Sequence, residues 1–319
     1  MRISAPEPAG RGPGTGRRGR LRGRALGLAL LALAAGAVAL VAGGFGRDAL
    51  RALAGGSIGR GSPGPDDRGL TRTTGAPSRD SRTAETHNSR GVALAGEGRI
   101  DEAIAEYRRA IALDPDLPHV RFNLSNALRA KGRMAEMVAE LEHTVRLQPG
   151  FAEAWSNLGL GLAMLNRLEE AAAAHRRVIE LRPDQAVGHV HLGTVLFNMG
   201  RISESMASYE RALEVDPRSA VALRQLAWIQ ATHQDPALRD PARAIELAER
   251  ADEVAGGADA RALDALAVAY AAAQRPADAL RAAERALDLA LREKDAAMAE
   301  LMRQRIRQFQ SSGADAPGR

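Results

Sequence analysis

The side chains that could do chemistry in this chain are seven histidines, several adjacent carboxylates and a few glycine-rich runs. His189 and His191 form the tightest histidine pair. On a helix, side chains at i and i+2 diverge, so this pair has poor metal geometry, and no H-E-x-x-H motif supports it. Asp101-Glu102 and Glu169-Glu170 each open a helical stretch, where negative charge complements the macrodipole, so they fit capping and solubility better than acid–base work. Gly55-Gly56-Ser57-Ile58-Gly59 matches the G-x-S-x-G hydrolase pattern, and residues 14–19 and 59–64 match G-x-G-x-x-G. None follows a strand or opens a helix of a βα unit, the context that gives those patterns a mechanism. There is no G-x-x-x-x-G-K-[ST] run. Cysteine is absent, which removes disulfides, thiolate metal sites and thiol nucleophiles. The chain is therefore expected to be non-enzymatic, with no cofactor and no metal.

The elements that remain fall into zones of different charge. Residues 1–24 carry seven arginines against Glu7, and residues 47–83 carry seven arginines against four aspartates. The segment 84–319 has a net charge of −4, so the basic character lies outside the part most able to fold. A nucleic-acid partner would need a basic stripe on the domain and is not expected. Lysine occurs only at 131 and 294, an arginine bias expected of a GC-rich bacterial genome.

Ala25 to Gly46 holds no charged residue. As a helix its 22 residues would rise about 33 Å, matching a hydrocarbon core of roughly 30 Å. Six arginines lie in the fourteen residues before it. The positive-inside rule then predicts a cytoplasmic tail at 1–24, a transmembrane or signal-anchor helix at 25–46, and export of the chain beyond Gly46, placing the domain on the periplasmic side of an inner membrane. A cleaved signal peptide is the rival, because Ala35-Gly36-Ala37 and Ala37-Val38-Ala39 both resemble cleavage sites. That reading would remove residues up to 39 and release a soluble periplasmic protein. Residues 47–83 are Gly, Pro, Ser, Thr, Arg and Asp with few large apolar residues, which predicts a disordered linker.

Beyond it the chain repeats. Pro115, Pro149, Pro183 and Pro217 stand 34 residues apart. Aligned on them, Leu124, Leu158, Leu192 and Leu226 share a column, followed by the small residues Gly91, Ser125, Gly159, Gly193 and Ala227. Leu94, Leu128, Leu162 and Leu196 come three residues later. The second half of each unit holds Ala103, Met137, Ala171 and Ser205, then Tyr107, Leu141, His175 and Tyr209, then Ala110, Thr144, Val178 and Ala212. The last three columns recur at i, i+4 and i+7, one face of a helix. Gly98, Gly132 and Gly200, with Asn166 in the third unit, mark the turn between two helices.

This 34-residue helix–turn–helix order resembles the tetratricopeptide repeat (TPR). The resemblance covers residues 84–291, as units 84–117, 118–151, 152–185, 186–219, 220–259 and 260–291. It implies an all-α fold, a right-handed superhelix of about six helix pairs. The fifth unit has a five-residue insertion between Thr232 and Pro241, with Asp240-Pro241 restarting its second helix. A capping helix is expected at 292–310, with Met298, Leu301, Met302, Arg305 and Phe309 inward, because a solenoid must cover its last apolar face. Residues 311–319 are expected as a disordered tail.

In proteins resembling this one the first helices of the units line a concave groove. The implied peptide-binding residues are Asn123, Asn157, His191 and Gln225 at unit position 6, a polar column begun by Ser89. They are joined by Phe122 at position 5, Asn126, Thr194 and Trp228 at position 9, and Arg129 and Phe197 at position 12. The resemblance thus implies a protein-binding scaffold with a protein or peptide partner in the groove, and membrane contact through residues 25–46. Two alternatives stay open. The run from Leu226 to Ala251 resembles terminal units of bacterial TPR arrays, some fused to membrane glycosyltransferases, which would make this an accessory of such an envelope system. A structural homo-oligomer could instead form by anchor-helix pairing through Ala35, Ala39 and Gly43.

Overall fold

The computed structural model describes residues 78–314. The tail 1–24, the apolar segment 25–46 and the linker up to residue 77 lie outside these residues, as do Ala35, Ala39 and Gly43. Among the described residues there are thirteen α-helices, one short 3-10 turn and no strand. The helices are α1 (Arg79–Gly96), α2 (Ile100–Leu113), α3 (Pro118–Ala130), α4 (Met134–Leu147), α5 (Ala152–Met164), α6 (Leu168–Leu181) and α7 (Ala186–Asn198). They continue as α8 (Ile202–Val215), α9 (Ala220–Thr232), α10 (Pro241–Val254), α11 (Ala260–Ala272), α12 (Pro276–Arg292) and α13 (Ala296–Ala314). Each packs on the next, and odd-numbered helices also touch, most extensively α9 with α11. That nearest-neighbour order defines a solenoid of helix pairs.

Backbone conformation at the turns sets the pairing. Gly98, Gly132, Asn166, Gly200 and Gln274 all have positive φ. After each, an arginine amide donates back to the first helix: Arg99 N to Leu94 O, Arg133 N to Leu128 O, Arg167 N to Leu162 O and Arg201 N to Leu196 O, all at 2.9 Å. Arg275 N does the same to Tyr270 O at 2.9 Å. These are Schellman closures, which satisfy carbonyls the ended helix would leave bare. Four of these arginines then fork onto a carboxylate three residues on, Arg99–Glu102, Arg133–Glu136, Arg167–Glu170 and Arg201–Glu204, and Arg275 Nε donates to Asp278. Such exposed pairs are screened by solvent, so the turn is set by the backbone and only trimmed by charge.

Within a pair, the approach of the two helices is governed by positions 8 and 24. A Cβ on Gly91 would lie 2.6 Å from Tyr107 Cε1, and one on Gly193 would lie 2.9 Å from Tyr209 Cε1. On Gly159 it would lie 2.5 Å from the His175 ring. Where position 24 is aliphatic instead, position 8 carries a Cβ: Ser125 with Leu141, Ala227 with Ala248, Ala267 with Ala283. The leucine columns fill the space around this joint, with Leu124, Leu128, Leu158, Leu162, Leu196 and Leu226 all buried. Each contributes roughly 1.5–3 kcal/mol of burial.

Three boundaries differ from the sequence expectation. The first helix starts at Arg79, inside the stretch assigned to the linker 47–83. The reason is local: Ser78 Oγ accepts from Ser81 N at 3.0 Å, and the Ser81 hydroxyl donates to Asp114 at 2.7 Å, so an extra turn is capped and tied down. Arg292 closes α12 rather than opening the cap, which begins at Ala296 after Lys294 takes positive φ. At the far end α13 runs to Ala314, into the expected tail 311–319. In the fifth pair the insertion forms the 3-10 turn Pro236–Leu238. Asp240 then caps α10, accepting from Arg243 N at 3.0 Å, and its own amide donates to Gln230 O at 3.0 Å.

Candidate functional site

Helices α1, α3, α5, α7, α9 and α11 carry the groove register, and the ten expected residues divide along it. Asn123 and Asn157 are half-buried and joined to the preceding unit. Asn123 Nδ2 donates to Asn88 Oδ1 at 3.0 Å, and Asn157 Nδ2 donates to Asn126 Oδ1 at 3.4 Å. The two amide pairs thus run from α1 to α3 and from α3 to α5. Asn88 was not among the expected residues. Its signal was available, since it stands at position 5 of the first unit, the position Phe122 holds in the second. Phe122 is half-buried, its ring 4.8 Å from Phe151 at a 40° tilt. Arg129 is half-buried too, and burial lowers its guanidinium pKa from the ordinary arginine value. Phe197 and Gln225 are half-buried on α7 and α9.

Three expected contacts belong instead to the protein's own packing. Thr194 is 3% exposed. Its hydroxyl lies 3.0 Å from Val190 O and 3.0 Å from the Tyr209 hydroxyl, because its short side chain follows the i−4 carbonyl and meets the phenol at position 24. Burial pushes that phenol up to about 12. His191 stacks on His175 with ring centroids 5.0 Å apart, and its Nδ1 is buried without a hydrogen-bond partner. Burial pushes the His191 pKa down to about 4, so it is a neutral ring over another neutral ring. Trp228 is 8% exposed, covered by the guanidinium of Arg305 at 5.1 Å from its ring. Arg305 in turn contacts Asp264.

The groove register therefore holds half-buried amides on α3 and α5, with the first bridged to the buried Asn88 of α1, and a sealed cluster over α9, α11 and α13. Among the described residues no group of three or more histidines, aspartates or glutamates is placed to hold a metal ion. Asp101 pairs with Lys131 at 2.8 Å and Glu170 with Arg167 at 2.7 Å. One buried carboxylate escaped the sequence reading: Glu106, bonded to His87 Nδ1 at 2.6 Å and Arg109 at 2.6 Å, with its pKa lowered first by the His87 hydrogen bond. Only the odd placement of His87 at an aromatic column hinted at it. No helix among the described residues is long and apolar enough to cross a membrane.

Comparison with known proteins agrees with this geometry. Residues 91–132 match a TPR repeat family model, and residues 122–186 and 187–219 match tetratricopeptide repeat models. Together these matches to tetratricopeptide repeat models run from residue 91 to 219. MamA 41-end from Desulfovibrio magneticus RS-1 is 16% identical, with a TM-score of 0.50 over 58% of this chain and 99% of that one. A double mutant of MamA from strain RS-1 gives 16% identity and a TM-score of 0.50 over 57% and 98%. YrrB, described as a TPR protein with an unusual peptide-binding site, gives 19% identity and a TM-score of 0.46 over 62% and 97%. A comparison with curated proteins finds no match.

Proposed function

We propose that the protein is a non-enzymatic scaffold whose α1–α3–α5 groove holds an extended segment of a partner protein. The observation that carries this is the pair of amide bridges. Asn123 and Asn157 each spend one N–H on the neighbouring unit, and each retains an Oδ1 acceptor and a second N–H. The bridge fixes the amide plane in advance, which lowers the ordering cost a ligand would otherwise meet. An extended backbone offers alternating donors and acceptors for such amides, and the Phe122–Phe151 pair supplies an apolar contact beside them. Each hydrogen bond adds only about 0.5–1.5 kcal/mol, so several units must act together.

The apolar run 25–46, preceded by six arginines, supports a tether that holds this groove at the exported face of a membrane. Partner capture from membranes by the full chain tests the groove. Asn123→Ala with Asn157→Ala should leave helical circular dichroism unchanged and weaken capture by about 1–3 kcal/mol. Undiminished capture by the folded double variant would count against it. Alkaline extraction of membranes tests the tether, which predicts that the chain stays in the pellet.

A further inference from the structure

At the carboxy-terminal end of the groove three residues from three helices meet. Trp228 stands at unit position 9 on α9 and Asp264 at position 5 on α11. Arg305, the tenth residue of α13, reaches them from the packed face of the cap. The Arg305 guanidinium sits 5.1 Å over the Trp228 ring. Its Nη2 donates to Asp264 Oδ2 at 3.2 Å, and its Nε contacts Asp264 Oδ1. Exposure is 8% for Trp228, 8% for Asp264 and 2% for Arg305. An aromatic face with a carboxylate beside it is a guanidinium site: the ring takes the planar cation and the carboxylate takes its fork of N–H donors.

The occupant of this site rides on a helix packed mainly on one neighbour. Among the described residues α13 is the last helix, and it meets the others through α12 and the edge of α11. Its link to α12 is Glu293–Asp295, where Lys294 at a φ of 58° closes α12 and Asp295 N donates to Ala290 O at 2.9 Å. Elements held mainly by one neighbour open locally at less cost than those packed on both sides. Departure of α13 would also uncover Met298, Met302 and Phe309 together with the surface they bury against.

We propose that α13 is a built-in competitor for this end of the groove: Arg305 fills a guanidinium site, formed by Trp228 and Asp264, that an arginine of an incoming protein segment takes when α13 swings away. The inference rests on the groove reading and adds a partner chemistry, an arginine flanked by apolar side chains. Lysine would serve poorly, because a compact ammonium can neither fork onto Asp264 nor lie flat on the indole.

The test uses the full chain with Trp155→Phe, which leaves Trp228 as its sole tryptophan. With Arg305→Ala added, methylguanidinium should change Trp228 fluorescence saturably, at least tenfold more tightly than methylammonium and at least tenfold more tightly than in the Arg305 parent. Asp264→Asn should abolish the response. A second measurement needs no folded Arg305 variant. In the unaltered chain, a synthetic peptide bearing one arginine between leucines should raise hydrogen exchange across residues 296–310, and its citrulline counterpart should not. A non-saturating response, equal affinity for the two small cations, or unchanged exchange with the arginine peptide overturns the proposal. Methylguanidinium requires no partner, so failure here leaves the asparagine groove standing, and failed capture by the asparagine variants leaves this site intact.

Discussion

Repeats one, three and four join their two helices through glycine against a ring, whereas repeats five and six use alanine at both positions. Gly91 faces Tyr107, Gly159 faces His175 and Gly193 faces Tyr209, at separations that leave no room for a Cβ. In the later repeats Ala227, Ala248, Ala267 and Ala283 are all fully buried. The groove changes along the same axis, from bridged asparagines to a site sealed by the chain's own arginine. The contrast shows that one helix–helix joint accepts either a large and a null side chain or two small ones. What the joint does not accept freely is a polar ring, and the third repeat has one.

The largest effect that separates the two regions should come from acid. His175 is fully buried, with neither ring nitrogen partnered, and its pKa lies well below 6.5, chiefly through burial and then through His191. His191 is pushed down to about 4. Below pH 6.5 the unfolded chain binds protons that the folded chain refuses, so the stability is whole above that value and drains as pH falls toward about 4. Over that interval His191 alone would cost on the order of 3 kcal/mol. Melting followed at pH 7.5 and 4.5 should therefore show a steep loss that His175→Tyr with His191→Asn largely removes. An equally steep loss in that double variant would sink the assignment, pointing instead to carboxylates such as Glu106, whose lowered pKa also favours the folded state at neutral pH.

A smaller effect tests the joint itself. Gly193→Ala places a methyl group 2.9 Å from the Tyr209 ring. Overpacking of this kind costs about 1–3 kcal/mol, against a gain of about 1 kcal/mol in helix propensity. A net loss of about 0–2 kcal/mol in urea unfolding is expected, relieved when Tyr209→Leu is added in imitation of repeat two. Ala267→Gly, the reverse change in repeat six, should also destabilise, by about 1–2 kcal/mol through propensity and a lost buried methyl. If Gly193→Ala stabilises instead, the joint is looser than its distances say.

Much of this architecture was readable from spacing. Proline and leucine columns at 34-residue intervals gave the helix pairs, and Gly98, Gly132, Asn166 and Gly200 marked the turns where positive φ is found. Register, however, gives the direction of a side chain and not what lies over it. Trp228 occupies the expected groove position, but its cover comes from Arg305, 77 residues later, on a helix outside the repeat frame. Thr194 likewise points as expected, and the length of Tyr209 decides that its hydroxyl is spent internally. The asparagine bridges join adjacent repeats, where sequence spacing does fix distance.

The smallest expected effect compares one turn between the two regions. Glycine occupies the left-handed position in repeats one, two and four, Asn166 holds it in repeat three at a φ of 60°, and Gln274 holds it in repeat six at 60°. A left-handed residue with a Cβ costs roughly 1–2 kcal/mol, less for asparagine, whose side chain bonds locally. Replacing it with glycine removes that strain but raises unfolded-chain entropy by about 0.5–1 kcal/mol. Nothing lies within 4 Å of a Cβ at Gly98, Gly132 or Gly200, so the turn has no packing contact of its own to lose. Gln274→Gly should therefore stabilise by about 0.5 kcal/mol, and Asn166→Gly should be close to neutral, as read by paired urea unfolding of the two variants. The difference matters more than either value, because it isolates backbone strain from everything else that distinguishes the third repeat from the sixth. Were Asn166→Gly the more stabilising of the two, the asparagine side chain would be contributing no local bond, and the turn would be held by its Schellman closure alone.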